Sequence, residues 1–359
     1  MSTQEKDTSK VLSPIDFKYI EMGYAFGEGG FTRNHFGTSE IIQKIRDKSK
    51  NTGVYRSSFW YNSTDPYEAD LFADFYMDFD VEEKEDGTYD IEKAREDLLF
   101  VIWRMHLNPG FSLPMDAFRV YFSGKKGFHM IIPWQYFGYK PSSNLDEIFK
   151  WIAQDLNDQS ENGTIDLVVY ERRRLFRLEN SIHQDTGLYK IPLQYHEAVS
   201  SPIDEIQDRA KKPRLIKYST PYVIVDAKKE FERYEEEYSE WLKVRHKVSP
   251  KEVIPKGTTP DSVQELIDRG PVKGLRNETI AALTSFWNNQ GYDKDEIWSL
   301  LLEWNQGSES ERVLKTTMNS ILKRGYCYSL SRFKALAEGD IGADNSREEY
   351  KKYKKGRFR

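Results

Sequence analysis

The chain has 359 residues, enough for one large domain or two ordinary ones, and its 38% hydrophobic, 14% aromatic composition suits a folded protein. A formal charge of −5 excludes a uniformly basic nucleic-acid coat, although 53 Lys and Arg can still clothe one face. The single cysteine, Cys327, excludes an intrachain disulfide framework and a Cys-rich zinc site, and no apolar run nears the roughly 18 residues of a membrane span.

Residues 1–16 read as a polar, flexible leader without the apolar core of a signal peptide, so a cytoplasmic location is expected. Residues 17–225 mix strand and helix signals. VYRSSFWY (54–61) is rich in β-branched and aromatic residues and reads as a strand. ADFYMDFDVE (73–82) alternates: Phe75, Met77, Phe79 and Val81 on one side, Tyr76, Asp78, Asp80 and Glu82 on the other. Residues 91–107 read as a helix packed through Leu98, Leu99, Ile102 and Met105. FRVYFS and FHMIIP form two short strands around Gly124–Gly127. A helix over 144–156 and strands over IDLVVY (165–170) and LYKIPL (188–193) follow.

The composition shifts near residue 226. DAKKEFERYEEEYSEWLKVRH is highly charged, with Phe231, Tyr234, Tyr238 and Trp241 at helical spacing, which predicts a solvated helix with one packed stripe. SPKEVIPKGTTPD (249–261) carries three prolines and a glycine and reads as a linker, so 226–261 is a charged helix and linker. Residues 262–340 are expected to be all-helical. Asn277 can cap a helix carrying Ile280, Leu283, Thr284 and Trp287. Asp293 with Glu296 forms a capping pair for a helix carrying Ile297, Leu300, Leu301 and Trp304. Leu314, Met318 and Ile321 suit a third helix. The basic tail, 341–359, either touches phosphates or only solubilises the terminus.

Three stretches could carry chemistry. In Asp78-Phe79-Asp80 the carboxylates lie two residues apart on a strand and face one side, a few ångströms apart, suited to hard cations such as Mg²⁺ or Mn²⁺. The bland alternative is two solvated carboxylates. The flanking apolar residues argue for burial, where unpaired like charges are costly and a cation would relieve them. Glu82 shares that face. In Ser123-Gly124-Lys125-Lys126-Gly127-Phe128-His129, two glycines let the backbone approach an anion while Ser123, Lys125, Lys126 and His129 converge. This is either a triphosphate cradle or an ordinary hairpin with exposed lysines. From Asp166 to Leu193, Arg172, Arg173, Arg174 and Arg177 form a basic cluster ahead of His183. They are either phosphate ligands or surface charge, and His183 is either part of the site or structural.

In this order, YMDFD, SGKKGFH and IDLVVYERRRLFRLENSIHQDTG resemble the three motifs of the archaeo-eukaryotic primase superfamily, in its PrimPol-like and phage- or plasmid-type branches. FTRNHF and GVYRSSFWY resemble the region before its first motif, and the likeness covers about residues 20–200. GLRNETIAALTSFWNNQGYDKDEIWSLLLEWN is similar to the small helical domain that follows the catalytic domain in such primases. One cysteine cannot build the zinc knuckle of many relatives, and no P-loop for a fused helicase is present.

The resemblance implies an α+β fold: a primase-polymerase core of mixed sheets flanked by helices, with an RRM-like module, followed by a small all-α domain. It implies a nucleotidyltransferase that makes primers on single-stranded DNA from NTP or dNTP. A primer-extending repair polymerase and a non-catalytic replication initiator are the alternatives. Asp78, Asp80 and Asp166 would hold two Mg²⁺ or Mn²⁺ ions, with no zinc. Ser123, Lys125, Lys126, His129, Arg177, His183 and Arg33 would bind the nucleotide. A monomer is expected, without membrane attachment, working beside a separately encoded helicase.

Overall fold

The computed structural model describes residues 16–338 except 28, 68, 108–109, 248–253, 273–274 and 325–329. Cys327, the basic tail, nearly all of the leader and the start of the linker fall outside the described residues. The chain divides into two compact units, residues 1–238 and 239–359. Among the described residues, no helix is long and apolar enough to cross a membrane.

The first unit is mixed α and β. It opens with a hairpin, β1 (Ile20–Phe26) and β2 (Gly30–Gly37), then α1 (Ile41–Lys48) and β3 (Val54–Ser57). The strand expected over 54–61 is broken after Ser57, and β4 (Trp60–Tyr61) pairs instead with β5 (Leu71–Phe72). Ser57 makes that break: its hydroxyl donates to the carbonyl of Phe59 at 2.7 Å, folding the chain back on itself. Strand β6 (Phe75–Asp80) leads to α2 (Ile91–Leu107), then β7 (Arg119–Phe122), β8 (Gly127–Ile132), α3 (Trp134–Phe137) and α4 (Leu145–Asn157). Strands β9 (Leu175–Arg177) and β10 (Ile191–Leu193) follow, then α5 (Tyr195–Ser200), α6 (Ile203–Arg209) and α7 (Val225–Lys247), within which the division between units falls.

Two four-stranded antiparallel sheets result, in the orders β2-β1-β3-β9 and β10-β7-β8-β6. The second sheet is covered by α2, which packs on β6 and β8. Strand β6 is enclosed on both faces: Tyr76 is as buried as Phe75, Met77 and Phe79. The core is unusually aromatic. Phe149 of α4 packs against Phe59, Phe75 and Tyr139, and Phe231 of α7 stacks on Tyr139 at 4.4 Å. Each such ring, fully buried, stabilises the fold by roughly 1.5–3 kcal/mol. The stripe Phe231, Tyr234, Tyr238 and Trp241 on α7 is buried throughout.

IDLVVY is not a strand. Residues 164–166 do run antiparallel beside β6, with Ile165 bridging Phe79, but the chain then turns into a 3-10 helix, Leu167–Tyr170. The Asp166 carboxylate causes the turn by accepting the Val168 N–H at 2.8 Å, which outweighs the β preference of the valines. Reciprocal hydrogen bonds pin it to β6: Tyr76 donates to the Val169 carbonyl and Tyr170 to the Tyr76 carbonyl.

The described part of the second unit is helical: α8 (Asp261–Arg269), α9 (Arg276–Asn289), α10 (Lys294–Asn305), α11 (Glu311–Arg324) and α12 (Leu330–Ala337). Helix α9 is its centre, buried from Thr279 to Trp287, with Leu266, Leu301, Trp304, Leu314 and Met318 in the same core. Asp293 and Glu296 form the expected capping box of α10. Asn277 does not cap α9, because the helix already begins at Arg276 and no side chain closes its first turn.

Candidate active site

The pairing of β6 with β8 builds the centre of the site. Its register sets Asp78 opposite His129 and Asp80 opposite Gly127. A Cβ on Gly127 would stand 1.8 Å from the Phe79 carbonyl oxygen, so only glycine lets the two strands meet at that point. Ser123 and Gly127 close the loop between β7 and β8: the Ser123 N–H donates to the Gly127 carbonyl at 3.0 Å, and the Gly127 N–H to the Ser123 hydroxyl at 3.2 Å. Gly124, at φ 95°, makes the bend.

Residues 164–166 flank β6 on its other edge. The Asp166 N–H donates to the Asp78 carbonyl at 2.9 Å, and the Asp80 N–H to the Thr164 carbonyl at 2.9 Å. Acidic residues nearly ninety positions apart therefore meet across one backbone pairing. Burial, then repulsion from Asp80 and Asp166, holds the Asp78 carboxyl well above its ordinary range. Burial also raises Asp80, against the pull of Lys126, whose Nζ is 3.1 Å from its carboxylate. Asp166 is 3.7 Å from the Arg174 guanidinium. Among the described residues no three His, Cys, Asp or Glu side chains already stand at ligand distances around a common point. The donor set nonetheless suits a hard cation. Asp78 Oδ1 is buried without a hydrogen bond, and its nearest neighbour of opposite character, His129 Nε2, is misaligned at 3.4 Å.

A cleft of about 160 Å³ opens beside the pair. Asp78, Asp80, Ser123, Lys125, Lys126, His129, Arg177 and His183 all line it. Asp166 does not, although its charge acts on both neighbours. Arg33 lies elsewhere: its Nε is 2.8 Å from Glu21, and it donates to the Arg173 carbonyl. Lys125 is 2.8 Å from Asp185. The basic cluster splits. Arg172 holds the carbonyls of Pro66, Ala69 and Ser143, and Arg173 holds Glu21, while Arg174 and Arg177 face the cleft.

Both histidines are neutral at pH 7. Burial, with the charges of Lys190 and Arg177, lowers His129 well below its usual range. Burial and Arg177 bring His183 to about 4. The His129 ring lies 4.2 Å from that of Phe176.

Sequence reasoning missed three contributors. Phe176 supports His129. Tyr55 lines the cleft and accepts a 2.6 Å hydrogen bond from Arg177. Lys190 is buried, donates to the Arg177 carbonyl at 2.9 Å and sits over the Phe176 ring; burial lowers it to about 7, with Asp78 opposing. Tyr55 stands within the quoted stretch GVYRSSFWY, a signal that could have marked it. Lys190 left no trace in the sequence, because one lysine among apolar residues is not distinguishable there from a strand-edge charge.

Compared with models of known protein families and with curated proteins, the chain matches none.

Proposed function

We propose that the chain is a primase-polymerase of the archaeo-eukaryotic type, transferring nucleotides on a single-stranded DNA template. One observation carries the reading: Asp78, Asp80 and Asp166 converge beside a cleft that Lys125, Lys126, Arg174 and Arg177 also line. Paired carboxylates next to convergent cations suit a substrate that brings divalent metal and phosphate together.

Asp78, Asp80 and Asp166 would hold the divalent cations. Bound there, the cations would acidify the attacking 3′-hydroxyl and offset charge on the triphosphate and departing pyrophosphate. Lys126, Arg174 and Arg177 face the phosphates, with Arg177 steadied by Tyr55 and by Lys190 behind it. His129 and His183, being neutral, contribute directional hydrogen bonds rather than charge. Ser123 keeps the loop tight, so its lysines stay at the cleft mouth. Arg33 has no part in this scheme.

The test is synthesis on an unprimed single-stranded template with labelled NTP or dNTP and Mg²⁺ or Mn²⁺. Wild-type protein is expected to make oligonucleotides. Asp78→Asn and Asp80→Asn should each lose at least about a thousandfold in rate, roughly 4 kcal/mol of barrier, while remaining folded. Full activity in either variant would overturn the reading. A parallel primed template separates initiation from extension alone.

A further inference from the structure

The stretch FTRNHF forms most of β2, the edge strand of the first sheet, and has no part in the acidic centre. One face of that sheet packs into the core through Ile20, Met22, Tyr24 and Val54, with Ile45 of α1 against them. Register sets the other face. Along β1 it carries Glu21, Gly23 and Ala25. Across the strands, Phe36 stands opposite Glu21, Phe31 opposite Ala25, Tyr55 opposite Gly23 and Arg177 opposite Tyr55. The register shifts between Met22 and Tyr24, where Asn34, at φ 69°, gives β2 an extra residue, and Arg33 beside it reaches Glu21 on this face.

Small residues in β1 leave room above that strand. A Cβ on Gly23 would stand 2.7 Å from Leu175 Cδ1 and 2.8 Å from Phe31 Cζ, so both side chains lean over it. Phe31 is nonetheless 47% exposed. Its ring meets Tyr55 edge to face at 5.4 Å, and the Arg177 guanidinium lies 4.7 Å over Tyr55. Tyr55, Leu175 and Arg177 line the acidic cleft, so the face continues into it. At the far side, the Arg173 guanidinium lies 5.7 Å over Phe36 and 5.4 Å over the exposed Tyr67. Glu21 is the one acidic residue in the four strands, and it is shared by the guanidinium groups of Arg33 and Arg173, so that cluster keeps a net positive charge.

We propose that this face carries the single-stranded DNA template to the cleft, with Phe31 as the platform on which an unpaired base stacks. Rings interleaved with guanidinium groups are the complement of a strand that is anionic along its backbone and flat along its bases. Duplex DNA keeps those flat surfaces inside its own stack, away from an exposed ring. The proposal rests on the nucleotidyl-transfer reading for the use of the strand, not for its binding.

The experiment is fluorescence anisotropy of a labelled oligo-dT strand, about 20 nucleotides long, with the full chain in EDTA and without nucleotide, so that no metal or triphosphate enters the cleft. The single strand should bind more weakly as salt rises, and about tenfold more tightly than a duplex of the same length. Phe31→Ala should weaken it about tenfold. Phe31→Leu, which keeps an apolar side chain without a flat ring, should do the same, and both should keep the wild-type salt dependence because neither removes a charge. Phe31→Trp should bind as the wild type does and show a DNA-induced quenching of tryptophan emission beyond that of the wild type, which decides the matter if the smaller variants do not fold. Wild-type affinity in Phe31→Ala or Phe31→Leu, no added quenching in Phe31→Trp, or equal affinity for duplex would each overturn the proposal. A wild-type dimer in light scattering that Phe31→Ala dissociates would give the face to a second copy and overturn it too. Binding as expected in a protein that makes no oligonucleotide would sink the reaction and leave this surface standing; synthesis with binding indifferent to Phe31 would do the reverse.

Discussion

Two enclosed carboxylates of the first unit, one on each sheet, have opposite surroundings. Glu21, on β1, has a fully buried side chain and accepts hydrogen bonds from Arg33, Arg173 and the Asn34 N–H, all between 2.8 and 3.1 Å. Burial pushes its carboxyl up, but the two guanidinium groups outweigh that and hold it below its ordinary range. Asp78, on β6, has a side chain 13% exposed, and repulsion from Asp80 and Asp166 outweighs the pull of Lys190 and Lys126 on it. One carboxylate is saturated with donors and the other is kept short of them. A fold that can satisfy a buried acid at Glu21 does not fail to do so at Asp78 by chance; unsatisfied polar groups gather where ligands bind. The first carboxylate ties β1, β2 and residue 173 together, and the second keeps a buried oxygen that the described residues leave without a hydrogen bond.

Breaking the saturated carboxylate should have the largest effect on stability. Glu21→Gln leaves two guanidinium groups facing a neutral amide, and should lower the unfolding free energy by about 3 kcal/mol in urea denaturation. A loss under 1 kcal/mol would show that the arginines are content with solvent. The unsaturated site should respond to cations instead. At 100 times its dissociation constant, Mg²⁺ or Mn²⁺ should stabilise the wild type by about 2.7 kcal/mol, and Asp78→Asn by much less. An equal gain in both would place the cation elsewhere.

The acid limb sharpens the same contrast. His183 is depressed to about 4, so between pH 6.5 and 4 the unfolded chain binds a proton that the folded chain refuses. Its contribution is present above about 6.5 and lost as pH falls toward 4, on the order of 2 kcal/mol. His183→Gln should flatten that slope in melting experiments at pH 4 to 7. Glu21 works in the same sense at lower pH, giving stability above its unfolded value of 4.5 that is lost as pH falls through its lowered folded value.

Much of the acidic centre is legible in the sequence because it is local. Asp78 and Asp80 share a strand face by period alone, and the two glycines of SGKKGFH mark a tight loop. The even alternation of 73–82 misleads about one thing, since β6 is buried on both faces and Tyr76 is core. Asp166 joins the expected centre only through the resemblance, and its place as the cap of a 3-10 turn is not legible, because an apolar, β-branched run carries no sign of the side chain that ends it. The arginines of 172–177 look equivalent in sequence and part company only in three dimensions. Arg173 finds Glu21 across 152 residues, and no local pattern encodes a partner so distant. Arg33, which only the resemblance brings into the expected site, instead pairs with Glu21 on the neighbouring strand of its own hairpin.

The smallest effect is the most pointed. Asp78→Asn removes a charge that burial and two neighbouring acids oppose, and keeps the shape of the side chain. The carboxyl's folded value is raised, so its favourable contribution is fully present below 3.8 and is lost as pH rises through the folded value. Wherever the carboxyl is ionised its charge is a burden on the fold, and without divalent cation the variant should then be more stable than the wild type by about 1 kcal/mol. The gain should shrink as pH falls through the raised folded value, where the wild-type carboxyl takes up its proton. A variant that melts well below the wild type at pH 7 would mean that Asp78, like Glu21, serves the fold itself, and the contrast between the two carboxylates would be lost.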